Sequence, residues 1–231
     1  MDLVLAGVRQ AVGLLLEGDP EVWAILALSL RVSGTATCLA LAIGIPIGAT
    51  LALARFPGRT LLVSAVNTGM GLPPVVVGLF VTLLLWRSGP LGEWEILYTP
   101  AAIVAAQAVI AAPIVAGITL AAVQNVPEPF RVQLLALGAS RLQMVWVVLR
   151  EARLPMLAAV MAGFGGIISE IGASMMVGGN IKGQTRTLTT AMVLETGKGN
   201  FDVAIALSLL LLLITFLVNW ALTWLQQRRV L

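Results

Sequence analysis

Long apolar segments separated by short polar stretches dominate the chain. Five of them reach the length of about 20 residues that a helix needs to cross the hydrocarbon core of a bilayer. They cover residues 23–54, 61–86, 97–123, 155–177 and 203–225. Arg31 and Glu170 are the only charged residues within these segments. The pattern predicts an all-α, polytopic membrane protein with five transmembrane helices.

A shorter apolar pattern precedes the first segment. Five apolar residues recur there at helical spacing: Leu3, Leu5, Val8, Val12 and Leu15. A stretch this short and amphipathic is typical of a helix that lies in the membrane interface. We therefore predict an interfacial helix over residues 1–22, a transmembrane domain over 23–225 and a cytoplasmic tail over 226–231. A sixth span near the N-terminus is the alternative.

The composition narrows the class of protein further. Hydrophobic residues make up 59% of the chain and charged residues 11%, whereas soluble domains average about 45–50% and 25%. This excludes soluble enzymes, disordered chains and nucleic-acid binders. The chain has no histidine and one cysteine, Cys38, so the usual zinc and iron–sulfur frameworks are excluded. We expect no catalytic residue, no cofactor and no metal site.

The basic residues predict the orientation, because Lys and Arg are enriched in cytoplasmic loops. With five spans, the loops after the first and third spans share one side with the tail. The bases on that side are Arg55, Arg59, Arg131, Arg141, Arg150, Arg153, Arg228 and Arg229. The bases on the other side are Arg9, Arg87, Lys182, Arg186 and Lys198. The excess predicts a cytoplasmic C-terminus and an external N-terminus.

Glycine and proline punctuate the predicted spans. Gly44 and Gly48 have the GxxxG spacing, interrupted by Pro46. We expect the second span to break at residues 71–74 and the third at Pro113. A final group crowds the fourth span: Gly163, Gly165 and Gly166. Because broken helices are tolerated where they are buried in protein or line a cavity, this pattern favours a moving or pore-lining bundle over one that only packs tightly.

The longest cytoplasmic loop, residues 124–154, carries apolar residues at helical spacing, and Gly138 permits a sharp bend. The loop resembles the coupling loop of ABC-importer permeases, in which a short helix docks into a cleft of the ATPase. The resemblance assigns coupling to Ala136, Leu137, Gly138, Ala139, Ser140 and Arg141. Val132 stands where that family has an acidic residue, and the separation from Gly138 to Leu154-Pro155 is about one helical turn longer than usual.

The segment from Ile168 to Ala191 is similar to the GE-x-GA…GGNI…T-x-TL signature of oxyanion permeases, with Ser169 in place of the first glycine. Its Gly179-Asn-Ile-Lys-Gly form is most similar to tungstate-transport permeases, and molybdate or sulfate permeases are the alternatives. Residues 178–185 nearly spell a phosphate-binding loop, but Gln184 replaces the lysine that such a loop needs. We therefore expect no nucleotide site in this chain.

The resemblance implies the type I importer permease fold and a set of partners. These are a second copy of the chain, two ATP-binding cassette ATPase subunits that bind ATP and Mg²⁺, an extracytoplasmic oxyanion-binding protein and membrane lipid. The chain would then be a transport subunit of a prokaryotic plasma (inner) membrane and not itself an enzyme.

The pathway or gate is expected to involve Thr68, Ser169, Glu170 and Ser174. For Glu170 two interpretations stay open: a gate that exchanges hydrogen-bond partners, or a static pairing with Arg31 or with backbone and Ser/Thr donors. Arg31 itself could snorkel outward, pair with Glu170 or attract an anion at the entrance. Three amides are candidate interhelical hydrogen bonders: Asn67, Gln107 and Asn219.

Two other functions fit the composition. An ion-gradient-driven secondary transporter would usually show internal repeats and several embedded carboxylates, and this sequence has no visible repeat and one such carboxylate. A membrane scaffold that transports nothing would leave the broken spans and the long loop without a purpose.

Overall fold

The computed structural model describes residues 5, 7–10, 13 and 18–227, and the regular structure within them is helical. From Pro20 onward the α-helices are α1 (Pro20–Leu53), α2 (Arg59–Met70), α3 (Pro74–Leu85), α4 (Pro100–Gln124), α5 (Glu128–Ala136), α6 (Arg141–Glu151), α7 (Arg153–Ile168), α8 (Gly172–Gly178), α9 (Leu188–Gly197) and α10 (Phe201–Gln227). A short 3-10 helix, Gly92–Trp94, lies between α3 and α4.

The first helix starts at a defined cap. The carboxylate of Asp19 accepts hydrogen bonds from the backbone N–H groups of Glu21 (2.8 Å) and Val22 (3.1 Å), which satisfies donors that the first turn of a helix leaves free. The 34 residues of α1 extend over about 51 Å. This exceeds the hydrocarbon thickness of about 30 Å, so the helix tilts or projects beyond the lipid tails.

Helix α4 lies at the centre of the bundle. It packs most extensively on α1 and also contacts α2, α3, α7 and α8. The expected break at Pro113 is wrong, because α4 is one continuous helix with Pro113 inside it. A membrane helix tolerates an internal proline where neighbouring helices support it, and Gly69 of α2 lies directly against the Pro113 ring.

The GxxxG pair forms the closest part of the α1–α4 contact. A Cβ at Gly44 would lie 2.7 Å from Val115 Cβ, and one at Gly48 would lie 2.8 Å from Thr119 Cβ and overlap the Ala116 carbonyl oxygen. Both glycines are therefore required by the approach of the two backbones. Pro46, between them, does not interrupt α1.

Three helices are long and apolar enough to cross a membrane alone: α1, α4 and α10. The pairs α2–α3 and α7–α8 are bent by 102° and 59°, and they bring the total to five if each pair is one span. The predicted break at residues 71–74 is confirmed. In the fourth span the break falls at residues 169–171, and the crowded glycines of residues 163–166 lie inside the continuous helix α7.

The two bends lie beside each other. A Cβ at Gly172, which begins α8, would lie 2.6 Å from the Val75 side chain in the first turn of α3. One turn further, a Cβ at Gly78 would lie 2.6 Å from the Cα of Ala173. The second halves of the two broken spans thus pack as a pair against α4, and their breaks occupy neighbouring positions in the bundle.

The predicted interfacial helix over residues 1–22 lies partly outside the described residues. Positions 5, 7–10 and 13 are helical, and Gly7 contacts Ile205 near the start of α10. Helix α10 also packs on α9 and α7. It continues through Gln227, so the tail predicted from residue 226 begins within the helix, and residues 228–231 lie outside the described part of the chain.

Candidate functional site

The loop of residues 124–154 forms a helical hairpin whose turn is fixed by backbone geometry. After α5 ends, Gly138 has φ = +87°. Its N–H donates to the Leu135 carbonyl (3.0 Å), and the N–H of Ala139 donates to the Leu134 carbonyl (3.1 Å). These two bonds define a Schellman motif, in which glycine is favoured because its φ is positive. The sharp bend predicted at Gly138 is therefore present.

The second helix of the hairpin begins immediately with a capping box. The Ser140 hydroxyl accepts from the Gln143 N–H (3.3 Å), and the Gln143 side-chain oxygen accepts from the Ser140 N–H (2.8 Å). Such reciprocal bonds set the direction in which a helix leaves a turn. The turn between α5 and α6 is therefore held by hydrogen bonds at both ends, the Schellman motif after α5 and the capping box before α6.

The tip of the hairpin presents apolar side chains outward. Leu137 is 78% exposed and Leu142 is 83% exposed. Other exposed apolar residues of the hairpin are Val132, Leu135 and Trp146. Of the residues assigned to coupling, Ala136, Leu137, Gly138, Ser140 and Arg141 are exposed and Ala139 is half-buried. An exposed apolar patch of this kind is typical of a surface that another protein covers.

The base of the hairpin, in contrast, is packed against the bundle. Val123, Val126 and Val148 belong to one buried cluster. The guanidinium of Arg131 donates to the carbonyl oxygens of Val123 (2.6 Å) and Val126 (2.9 Å), so it binds the end of α4. Sequence reasoning missed this role for Arg131. The arrangement joins an exposed tip to a base that is bonded to the end of α4.

Within the membrane-spanning part, Glu170 occupies the break between α7 and α8 and is buried. Its carboxylate accepts hydrogen bonds from the N–H groups of Ala173 (2.8 Å) and Ser174 (3.0 Å) and from the Ser174 hydroxyl (3.0 Å). The carboxylate thus caps the first turn of α8. No ion pair joins Glu170 to Arg31, and the donors that the Glu170 carboxylate meets are backbone and serine groups.

Gln107 of α4 extends this capped break into a buried polar network. Its side-chain NH₂ donates to the Ile167 carbonyl (3.2 Å) and the Ser174 hydroxyl (3.3 Å), and its oxygen accepts from Ser33 of α1 (3.4 Å). Four helices are joined in this way, and Gln107 is the interhelical bridge that its sequence position suggested. Asn219, in contrast, donates to the Thr215 carbonyl of its own helix.

The four predicted pathway residues divide into two groups. Glu170 and Ser174 are buried and bonded to each other, as described above. Thr68, near the end of α2, and Ser169, at the end of α7, are exposed. The Ser169 hydroxyl donates to the Gly165 carbonyl (2.9 Å), and the Thr68 carbonyl accepts from the Gly71 N–H (3.1 Å). The two exposed residues therefore lie at the breaks of the second and fourth spans, one in each.

A threonine that the sequence analysis did not single out fixes the loop after α8. Thr185 is fully buried. Its hydroxyl donates to the Gly178 carbonyl (2.6 Å) and accepts from the Ile181 N–H (2.9 Å). Thr187 then caps α9 through a reciprocal pair with Thr190. The threonine-rich composition of this stretch was the signal, since Ser and Thr favour caps and turns.

Among the described residues, no group of three or more His, Cys, Asp or Glu side chains is arranged to hold a metal ion.

Comparison with known families gives one match that covers most of the chain. The family described as binding-protein-dependent transport system inner membrane component matches residues 44–230.

Several curated proteins are similar to this chain over most of their length. A probable anion ABC transporter permease of Haloferax volcanii is 43% identical over 84% of this chain and 86% of its own. The tungstate uptake system permease TupB of Peptoclostridium acidaminophilum is 39% identical over 98% of this chain and 100% of its own. The molybdenum transport permease ModB of Escherichia coli is 31% identical over 85% and 93%.

Solved structures share the same fold. An inward-facing form of the methionine ABC transporter MetNI matches with a TM-score of 0.73 and 21% identity, over 90% of this chain and 94% of that chain. A bacterial ABC transporter involved in the import of alginate also matches with a TM-score of 0.73, at 15% identity, over 89% of this chain and 78% of that chain. At these identities the likeness concerns the fold, which is that of type I importer permeases.

Proposed function

Since the chain belongs to the family of binding-protein-dependent transport system inner membrane components, we propose that it is the permease of an ATP-driven importer for a tetrahedral oxyanion, with tungstate as the substrate. The family supports a membrane-spanning transport subunit. The exposed apolar tip at Gly138, on a base bonded to α4, is the observation that carries the coupling part of the proposal.

The choice of substrate rests on the relatives. A tungstate permease aligns over nearly the whole chain at 39% identity, and a molybdenum permease aligns at 31%. Tungstate and molybdate have the same charge and tetrahedral geometry, so the permease need not separate them. Within the spans only one cation occurs, Arg31, and hydroxyl and amide groups would bind such an anion weakly enough to release it. Strong selection therefore belongs to the external binding protein.

In this proposal the energy comes from ATP that a separate ATPase subunit hydrolyses, and this subunit binds the hairpin. Covering Leu137 and Leu142 would remove exposed apolar surface from water, which is the general driving force for association. The Schellman turn and the capping box hold the tip in one shape, so little conformational freedom is lost on docking. We place one ATPase subunit on the hairpin of each permease copy.

The hairpin then transmits motion to the bundle. Because Arg131 and Val123 fix its base to the end of α4, a displacement of the tip moves α4. Helix α4 contacts both broken spans, so the motion reaches the breaks at Thr68 and Ser169. Two copies of the chain would enclose the path between them, which ATP binding and hydrolysis open alternately to each side.

This arrangement also requires an orientation. The hairpin must lie in the cytoplasm, where ATP is present. With five spans, the C-terminus is then cytoplasmic and the N-terminus external, in agreement with the distribution of basic residues. The family assignment disfavours the ion-gradient-driven alternative and the scaffold.

Reconstitution tests the proposal. The permease is co-expressed with a candidate ATPase subunit, the complex is purified, and proteoliposomes are loaded with ATP and supplied with tungstate-charged binding protein. We expect ATP-dependent tungstate accumulation that molybdate reduces more than sulfate does. Accumulation that follows an ion gradient and ignores ATP would contradict the proposal, as would equal competition by unrelated anions such as chloride.

A further inference from the structure

Arg31 is a charged residue within a membrane-spanning helix, and the mechanism above does not use it. It lies 11 positions after Pro20, about 17 Å along the axis of α1, and is exposed. A charge at the centre of a bilayer costs at least about 2.5–3.5 kcal/mol, so such residues are retained mainly where they bind something. Glu170, the partner considered for Arg31 in the sequence analysis, accepts its hydrogen bonds from Ala173 and Ser174 instead.

The structure places Arg31 in a cavity of about 650 Å³ at the outer end of the bundle. The cavity lies between α1, the start of α4 at Pro100 and the loop of residues 182–186. That loop contributes Lys182 and Arg186, two of the five bases on the external side. Arg31 of α1 therefore shares one cavity with two cations of a loop that is distant from it in sequence.

Glu21 organises two of these cations. One carboxylate oxygen lies 2.6 Å from Lys182 Nζ, and the other lies 3.6 Å from Arg186 Nη1. The Arg186 side chain is only 16% exposed, and its Nε donates to the Asn180 side-chain oxygen (3.3 Å). Arg186 is therefore held in place before any ligand arrives.

The charges facing this cavity do not cancel. Among the described residues that line the cavity, Glu21 is the one acid, against Arg31, Lys182 and Arg186. Two further acidic groups lie across the Glu21 cluster, away from Arg31. Asp19 caps α1, and Glu195 accepts from Asn200 (2.7 Å) and Lys198 (2.7 Å). The hydrogen bond from Asn200 and the bond from Lys198 hold the pKa of Glu195 below its usual range.

The wall beneath the cations is apolar. Ala24, Ala27 and Leu28 form one side of the cavity along α1. Since α1 is about 20 Å longer than the hydrocarbon core, Arg31 can direct its guanidinium outward to the level of the lipid headgroups. A cationic rim above an apolar wall matches an amphiphile with an anionic head.

We propose that this cavity is a binding site for a tetrahedral, phosphate-class oxyanion, held by Arg31, Lys182 and Arg186. Arginine is suited to this role because its planar donors bind the oxygens of phosphate groups. The apolar wall favours the phosphate of an anionic lipid in the outer leaflet, with its chain along α1. A free oxyanion has the same chemistry and is the second source. The proposal does not depend on the import function.

The test uses the full chain purified in detergent and stripped of lipid. Native mass spectrometry counts bound molecules in separate titrations with phosphatidylglycerol, zwitterionic phosphatidylcholine and sodium tungstate. Wild-type protein is compared with Arg31→Gln, Arg31→Lys and Lys182→Gln. Lys198→Gln is the control, since Lys198 is an external cation outside this cavity. The thermal midpoint of each variant reports whether it remains folded.

We expect one phosphatidylglycerol per chain, bound more tightly than phosphatidylcholine. Arg31→Gln and Lys182→Gln should each weaken it about tenfold, Arg31→Lys should restore most of it, and Lys198→Gln should leave it unchanged. Tungstate binding with the same dependence on Arg31 would instead assign the site to a free oxyanion. Phosphatidylglycerol and tungstate binding that are both absent, or both insensitive to Arg31 and Lys182, would overturn the proposal.

Discussion

The carboxylate of Glu170 accepts two hydrogen bonds from Ser174, one from its N–H and one from its hydroxyl, each at 3.0 Å. This pair holds the start of α8 against the end of α7, where the fourth span changes direction. A lone carboxylate in a membrane span is thereby satisfied without a cationic partner. Its negative charge also lies at the end of a helix where the backbone dipole favours an anion.

Removing the charge of Glu170 should destabilise the bundle. Glu170→Gln keeps the size of the side chain but replaces one acceptor oxygen with a donor NH₂ group that faces other donors. We expect the free energy of unfolding, measured by SDS titration in micelles, to fall by about 1–3 kcal/mol. Glu128→Gln is the control, because Glu128 forms an exposed pair with Arg55 that contributes about 1 kcal/mol at most.

A double-mutant cycle separates this bond from a general effect on packing. If the two residues act as a unit, Ser174→Ala and Glu170→Gln together should cost less than the sum of the single variants, with a coupling of about 0.5–3 kcal/mol. Additive losses would indicate that Glu170 and Ser174 do not depend on each other.

The GxxxG contact gives a matched pair of substitutions within one helix. A Cβ at Gly48 would overlap the Ala116 carbonyl of α4, whereas a Cβ at Gly34 meets nothing within 4 Å. Gly48→Ala should therefore lower the free energy of unfolding by about 1–3 kcal/mol. Gly34→Ala should raise it by up to about 1 kcal/mol, since alanine restricts the unfolded chain. Equal effects of the two would refute the close approach of α1 and α4.

Replacing a buried threonine with valine should have opposite effects on stability at positions 185 and 119. Thr185 donates and accepts within its loop, whereas the Thr119 hydroxyl has no hydrogen-bond partner among the described residues. Thr185→Val should cost about 1–3 kcal/mol, because it leaves an N–H and a carbonyl without partners. Thr119→Val should be neutral or stabilising by up to about 1 kcal/mol. Thermal unfolding in detergent measures both, and a larger loss for Thr119→Val would contradict the assignment.

Substitutions at two glycines with nearly the same φ angle distinguish an effect of backbone strain from an effect on coupling to the ATPase. Gly138 has φ = +87° and Gly58 has φ = +86°, and a Cβ meets nothing nearby at either. Gly138→Val and Gly58→Val should each strain the turn in which the residue lies by about 1–2 kcal/mol. We expect Gly138→Val alone to reduce ATP-dependent uptake, by about tenfold for each 1.4 kcal/mol of lost docking energy. A similar loss in Gly58→Val would mean that strain, and not the hairpin, is responsible.

The spans could be predicted because their signal is local. A run of about 20 apolar residues identifies a crossing whatever it packs against, and the Gly71-to-Pro74 break follows from two prolines in sequence. The break predicted at Pro113 was wrong because it depended on a signal that is not local. Whether a proline breaks a membrane helix depends on the helices beside it, and the support from Gly69 of α2 is a tertiary contact.

The interior of the bundle was less accessible to sequence reasoning. The glycines of residues 163–166 drew attention away from the actual break, which the Glu170 carboxylate sets by capping α8. That cap could have been suspected from an acid three and four residues before small helix formers, but the link to Gln107 could not. The grouping of Arg31 with Lys182 and Arg186 likewise depends on how α1 packs against a distant loop.

The central claim is that another protein covers the tip of the hairpin in the assembled transporter. Cys38 is the single cysteine of the chain, so Cys38→Ala gives a cysteine-free background for Leu142→Cys at the most exposed apolar position of the tip. This variant is purified in complex with the ATPase subunit and treated with a short cysteine-to-amine crosslinker, in the presence and absence of ATP. The account predicts a covalent product with the ATPase subunit whose yield changes with ATP. A Leu142→Cys side chain that reacts freely with water-soluble maleimide in the full complex, with no crosslink to any ATPase, would contradict it.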